Sequence, residues 1–146
     1  ATSFDTEAVG KALCLSPEPA VIDTVVKNGP PESGPHIARA MLGCAVLERR
    51  TAAVAAALPH MADINEPLGA LWQDTALCGA VGRRDFKTLP VLLKAKADRE
   101  RRCTDSNTAQ ERLAAMAAKG DADARAAMAE FQRYPPGPAT TGRQGQ

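Results

Sequence analysis

Apolar residues recur along this chain in two registers that copy each other. Met41-Leu-Gly-Cys-Ala-Val46, Val54, Ala57-Leu58 and Ala62-Asp-Ile-Asn65 are answered by Ala76-Leu-Cys-Gly-Ala-Val81, Leu89, Leu92-Leu93 and Ala97-Asp-Arg-Glu100. Leu42 pairs with Leu77, Ala45 with Ala80, Val46 with Val81 and Leu58 with Leu93, at a spacing of about 35 residues, within the range of repeat arrays. Each copy reads as helix, turn, helix. In the later copy, Asp74-Thr75 supplies N-cap chemistry, and Leu77, Ala80 and Val81 fall on one face of a small-residue helix. Gly82-Arg-Arg-Asp85 interrupts it, with Asp85 placed to cap a second helix over about residues 86–93 that buries Phe86, Leu89, Leu92 and Leu93. Pro90 falls in that helix's first turn, where a missing N–H costs least.

A unit of this length cannot bury its apolar faces alone, whereas stacked copies bury them together. The expected fold is therefore all-α, an α-solenoid of about four helix-turn-helix units near residues 5–29, 37–65, 74–100 and 106–133. In the first, a helix over Thr6–Leu15 and the turn Ser16-Pro-Glu-Pro19 precede a helix closing at Lys27-Asn-Gly29. In the last, Thr108-Ala-Gln-Glu111 has capping-box spacing, and a helix runs from Ala122 to about Gln132. Asn28-Gly-Pro-Pro-Glu-Ser-Gly-Pro35 reads as a projecting loop. Residues 134–146 are rich in proline and glycine and are expected to be disordered. An Ala-rich bundle with accidental self-similarity is the competing reading.

The order of features resembles the ankyrin repeat. Thr75-Ala-Leu77 stands where that family has Thr-Pro-Leu, Ala80-Val81 at its Ala pair, Leu92-Leu93 at its Leu pair, and Ala62-Asp-Ile-Asn65 at its Ala-Asp-Val-Asn turn. Lys96 and Met61 replace the family's turn glycine, and Arg84 and Arg50 replace the glycine after the first helix. The resemblance implies a non-enzymatic protein–protein interaction module that presents finger loops and a concave face. Carried over residue by residue, the contact set is Leu68, Leu71, Trp72 and Gln73 in the finger, with Leu47, Glu48, Gly82 and Arg83 at the ends of first helices. Trp72 and its neighbours either enter a partner or fold back onto the helices. The implied partner is another protein, and no cofactor or metal is implied. A bacterial effector, a regulator and an immunity protein all remain open.

Composition narrows the alternatives. The chain has 146 residues, a net charge of +1 and 3% aromatic residues, which favours neither nucleic acid nor an anionic membrane. With no membrane-length apolar run and no basic-then-apolar opening segment, a soluble, cytoplasmic protein is expected, or one delivered into a host cytoplasm. Cys14, Cys44, Cys78 and Cys103 are scattered singly and read as buried thiols in a reducing compartment, with Cys44 and Cys78 near neighbours. His36 reads as a loop residue, and His60, three residues before Asp63, as structural or exposed. The basic stretch Lys94–Arg102 is interleaved with Asp98 and Glu100 and reads as a solvated connector. The runner-up function is a small helical enzyme or ligand-binding protein with a site assembled from scattered Cys, His and carboxylate side chains.

Overall fold

The computed structural model describes residues 5–69 and 72–136. Among them are eight α-helices and no strand: α1 (Thr6–Leu15), α2 (Ile22–Asn28), α3 (Gly34–Leu47), α4 (Thr51–Ala57), α5 (Ala76–Gly82), α6 (Leu89–Lys94), α7 (Ala109–Ala118) and α8 (Ala122–Arg133). Short 3-10 turns at Pro19–Val21, Leu58–His60 and Phe86–Thr88 extend the second helix of a pair. The helices thus alternate as consecutive pairs. The first helices touch in the order α1, α3, α5, α7, and α4, α6 and α8 follow the same order.

Local chemistry explains the boundaries. Asp5, Thr75 and Asp121 accept the backbone N–H three residues on and cap α1, α5 and α8. Thr108 and Glu111 form the reciprocal capping box expected for α7. Helix α3 starts at Gly34 because Pro35, lacking an N–H, suits its first turn. The projecting loop is accordingly shorter than expected, and His36 lies exposed on a helix, not in a loop.

Three first helices end in the same way. The N–H groups of Arg49 and Arg50 bond to Val46 O and Ala45 O, those of Arg84 and Asp85 to Val81 O and Ala80 O, and those of Gly120 and Asp121 to Ala117 O and Met116 O. This is the Schellman closure, and it needs a left-handed residue. Arg49 (φ 56°), Arg84 (φ 56°) and Gly120 (φ 96°) supply it. The left-handed residue that closes the first helix of the earlier copy is therefore Arg49, one position before the Arg50 expected from the sequence. The arginines pay roughly 1–2 kcal/mol each for a conformation that glycine adopts freely. Of the two other glycine replacements, Lys96 is left-handed (φ 68°), whereas Met61 is extended.

The core is a continuous strip of aliphatic side chains. Leu42, Leu89, Leu92, Leu93 and Leu113 are fully buried, and Leu58 and Leu77 nearly so. Phe86 is only half-buried, packed on the rim of this core. Between α1 and α3 the backbones come close: a Cβ on Gly10 would stand 2.5 Å from the Cβ of Ala40.

All four cysteines are paired, which corrects the expectation of reduced thiols. Cys14 bonds Cys44 across α1 and α3, and Cys78 bonds Cys103 from α5 to the segment before α7. Cys44 and Cys78 are not partners because one step along a helix turns the side chain by about 100°. In the repeat frame, Cys44 matches Gly79 and Cys78 matches Gly43. The first position faces the preceding helix pair and the second faces the following connector, since Gly79 adjoins Val46 and Gly43 adjoins Leu68.

Leu93→Ala should lower stability by roughly 2–5 kcal/mol in urea unfolding, the range for emptying a packed leucine site; a loss well under 1 kcal/mol would misplace α6. Each disulfide closes a loop in the unfolded chain and so limits its entropy, and releasing that loop with Cys14→Ser and Cys44→Ser should cost roughly 2–4 kcal/mol by the same measurement.

Candidate binding surface

The connector between the second and third helix pairs doubles back on itself. Leu68 N–H bonds to Asp74 O at 2.9 Å and Gly69 N–H to Trp72 O at 3.0 Å, which gives a short finger. Its side chains divide between inside and outside. Leu68 is 6% exposed and belongs to the core, so it leaves the set of exposed finger residues. Leu71 lies outside the described residues. Trp72 is half-buried, and its ring edge sits 3.0 Å from where a Cβ on Gly79 would stand. Glycine at position 79 thus makes room for the indole, and the ring packs mainly on α5. Gln73 is exposed, with its amide nitrogen donating to Gly69 O.

The four residues at the first-helix ends are all solvent-facing. Leu47 is 45% exposed. Arg83 donates to Leu47 O at 3.1 Å, so the ends of α3 and α5 are tied together. Glu48 stands beside them. A Cβ at Gly82 would meet Arg112 Nη1 at 3.2 Å, which assigns this glycine the role of admitting the guanidinium from α7. Leu47, Glu48 and Arg83 form one edge, and Gln73 lies on the separate finger.

Polar bonds between neighbouring pairs repeat the sequence period. Thr51–Thr88, Lys87–Arg49 O, Arg84–Asp121, His60–Asp23 and Asp98 N–Asn65 span separations of 33 to 38 residues. His60 is paired with Asp23 at 2.7 Å, not with the Asp63 that sequence places beside it. Asp85 is buried and accepts from Thr88 Oγ1 at 2.7 Å, which leaves Thr51 to donate to Thr88 at 2.8 Å. That chain satisfies polar groups that would otherwise be costly to bury.

A second network was not legible in the sequence. Arg112 bonds Asp74 at 3.2 Å, Asp105 at 3.0 Å and Cys78 O at 3.0 Å. Burial works against its charge, but the hydrogen bonds it donates to Asp105 and Asp74 outweigh it and raise its pKa. Asp105 is held below the ordinary carboxylate range, chiefly by its hydrogen bond from Arg112. Asp121 is lowered in the same way by Arg84, whose own pKa is raised by that bond. The basic stretch also proves partly internal. Arg99 is buried, its pKa lowered by burial, and it donates to Phe131 O and Tyr134 O at the C-terminus of α8. A cation there complements the helix dipole.

Asp74, Cys78 and Cys103 are the one metal-capable grouping among the described residues. The two sulfurs are bonded to each other and the carboxylate is held by Arg112, so the set is engaged structurally. An open groove of about 710 Å³ runs between Pro19–Thr24 and Ala52–Ala56, lined mainly by apolar atoms. No helix is long and apolar enough to cross a membrane among the described residues. Comparison of the chain with protein-family models, curated proteins and solved structures finds no match.

Trp72→Ala should destabilise the protein by about 1–2 kcal/mol, below the range for a fully buried aromatic because the ring is half-exposed. Urea unfolding followed by circular dichroism checks this. A change under a few tenths of a kcal/mol would show that the indole does not support α5.

Proposed function

We propose that the chain is a non-enzymatic protein-binding module, an ankyrin-like stack of four helix pairs that meets its partner with finger and first-helix side chains. The observation that carries this reading is the repeated closure of α3, α5 and α7 together with side-chain bonds at the repeat spacing. Units that bond only to their neighbours create an extended edge on which side chains recur at intervals, the geometry repeat proteins use for recognition. Gln73, Leu47, Glu48, Gly82 and Arg83 stand at the surface and supply the proposed contacts, while the Trp72 ring edge packs at Gly79.

The two disulfides move the proposed setting. Such bonds persist where thiols are kept oxidised, as in secreted or periplasmic proteins. An oxidising compartment therefore replaces the reducing cytoplasm expected from the scattered cysteines. An effector, regulator or immunity protein acting there satisfies both the disulfides and the binding role. The Ala- and Arg-rich composition favours a bacterial source.

A photo-crosslinking amino acid at position 73 tests the reading, with the same group at exposed Ala129 on α8 as control. Under non-reducing conditions, one dominant protein should be captured from position 73 and not from position 129. Equal capture at both positions, or none at position 73, would overturn the finger as a contact surface.

A further inference from the structure

We propose that the edge formed by Leu15, Leu47, Arg49 and Arg83 binds an acidic, leucine-bearing segment of a partner protein. This rests on the protein-binding reading and names the partner's chemistry. Leu15 (56% exposed) and Leu47 (45% exposed) are two of the three large hydrophobic side chains left at the surface among the described residues, with Val21. Each is the last residue of a first helix. The Cys14–Cys44 disulfide joins α1 and α3 near these same ends, with Cα atoms 6.0 Å apart, so the two helix ends that carry the leucines are held side by side. Isolated exposed leucines need no explanation, but a fixed pair at matching positions does.

Charge surrounds this pair unevenly. Arg83 reaches Leu47 O at 3.1 Å and Lys87 reaches Arg49 O at 3.1 Å, which gathers the turns after α3 and α5 into one surface. Two of the nearby cations are already matched: Arg84 by Asp121 and Asp123, and Lys87 by Asp85. Arg49, Arg50 and Arg83 are exposed and form no ion pair among the described residues, and Glu48 is the one acidic residue next to them in sequence.

Arg49 is the telling residue. It holds the left-handed conformation (φ 56°) that Gly120 supplies in the equivalent turn. Arg84, equally left-handed, is engaged by Asp121 and by the Phe86 ring at 5.4 Å. Arg49's backbone closes α3, as a glycine would at lower cost, and its guanidinium engages no acceptor among the described residues. What arginine adds over glycine at this turn is an exposed, unpaired guanidinium.

The occupant follows from these features. Guanidinium groups match carboxylates in fork geometry, and an apolar centre with a charged rim is the pattern of a protein interface. A phosphodiester chain would leave both leucines uncovered. A lipid headgroup surface is met by roughly four to eight clustered Lys or Arg, whereas two of the five cations here, Arg84 and Lys87, are already paired within the chain and leave three.

The test uses the full chain with its disulfides intact and a short fluorescent peptide alternating glutamate with leucine. Comparison probes are polyglutamate of equal length, duplex DNA and phosphatidylserine vesicles. The native chain should bind the alternating peptide more tightly than polyglutamate, DNA or vesicles. Arg49→Gly should keep or raise the thermal midpoint, because the strain is relieved, yet weaken peptide binding about tenfold. Leu47→Ser should remove the preference for the alternating peptide over polyglutamate. Equal peptide affinity in the native and Arg49→Gly proteins, absence of peptide binding, or a preference for DNA or vesicles would each overturn the proposal. Failure of the peptide would leave capture through position 73 standing, and failure of that capture would leave peptide binding standing, so the two readings fall separately.

Discussion

The close approach of successive first helices is the constraint on which the rest of this structure depends. Gly10 lets α1 lie against Ile37, Ala40 and Met41, and Gly79 lets α5 accept Val46, Leu68 and Trp72. A larger residue at either point would push the helices apart by more than a dense interior tolerates. From this approach follow the Cys14–Cys44 bond, the inward turn of Leu68, and the alignment of helix ends that places Arg83 on Leu47 O. The abundant alanine is thus a packing device that keeps short helices within reach of each other.

Periodicity made the helices legible. Thr6–Leu15 and Ala122–Arg133 fall where apolar spacing and capping residues put them, and Leu42, Leu58, Leu77 and Leu93 are all buried. Direction around the helix was harder to read. Whether Cys44 meets Cys14 or Cys78 depends on a rotation of one residue, and the frame alone gave only adjacency. The matched glycines carried the missing signal: Gly79 and Gly43 occupy the positions where their counterparts Cys44 and Cys78 project towards opposite neighbours. Long-range ion pairs such as Arg112–Asp74 left no local trace, because neither partner's type is demanded by its own helix.

The candidate surface was legible in part. Helix-end residues Leu47, Glu48 and Arg83 stand in solvent, since the residue at a helix end is free of the packed face. The finger was misjudged at Leu68 because an apolar side chain in a connector has two destinations, and the sequence does not say which of them it takes. The backbone does: the bond from Leu68 N–H to Asp74 O turns its side chain onto α5. Arg49 went unnoticed because the residue closing that turn was expected one position later, at Arg50.

The disulfides are not evenly distributed, and that has an energetic consequence. One joins the first and second helix pairs and the other joins the third to the segment leading into the fourth. Nothing covalent beyond the backbone joins the second to the third among the described residues. That seam is held by aliphatic packing and by polar bonds: Thr51 with Thr88, Asn65 with Asp98 N–H, and the carbonyls of Leu47 and Arg49 with Arg83 and Lys87. A seam without a covalent staple depends on these noncovalent terms alone. The edge proposed as a docking surface crosses this seam, with Leu47 and Arg49 on one side and Arg83 on the other. A partner gripping both sides binds only the closed state, so its binding free energy adds to the cohesion of this joint. Recognition and integrity of the stack are then linked through the same few side chains.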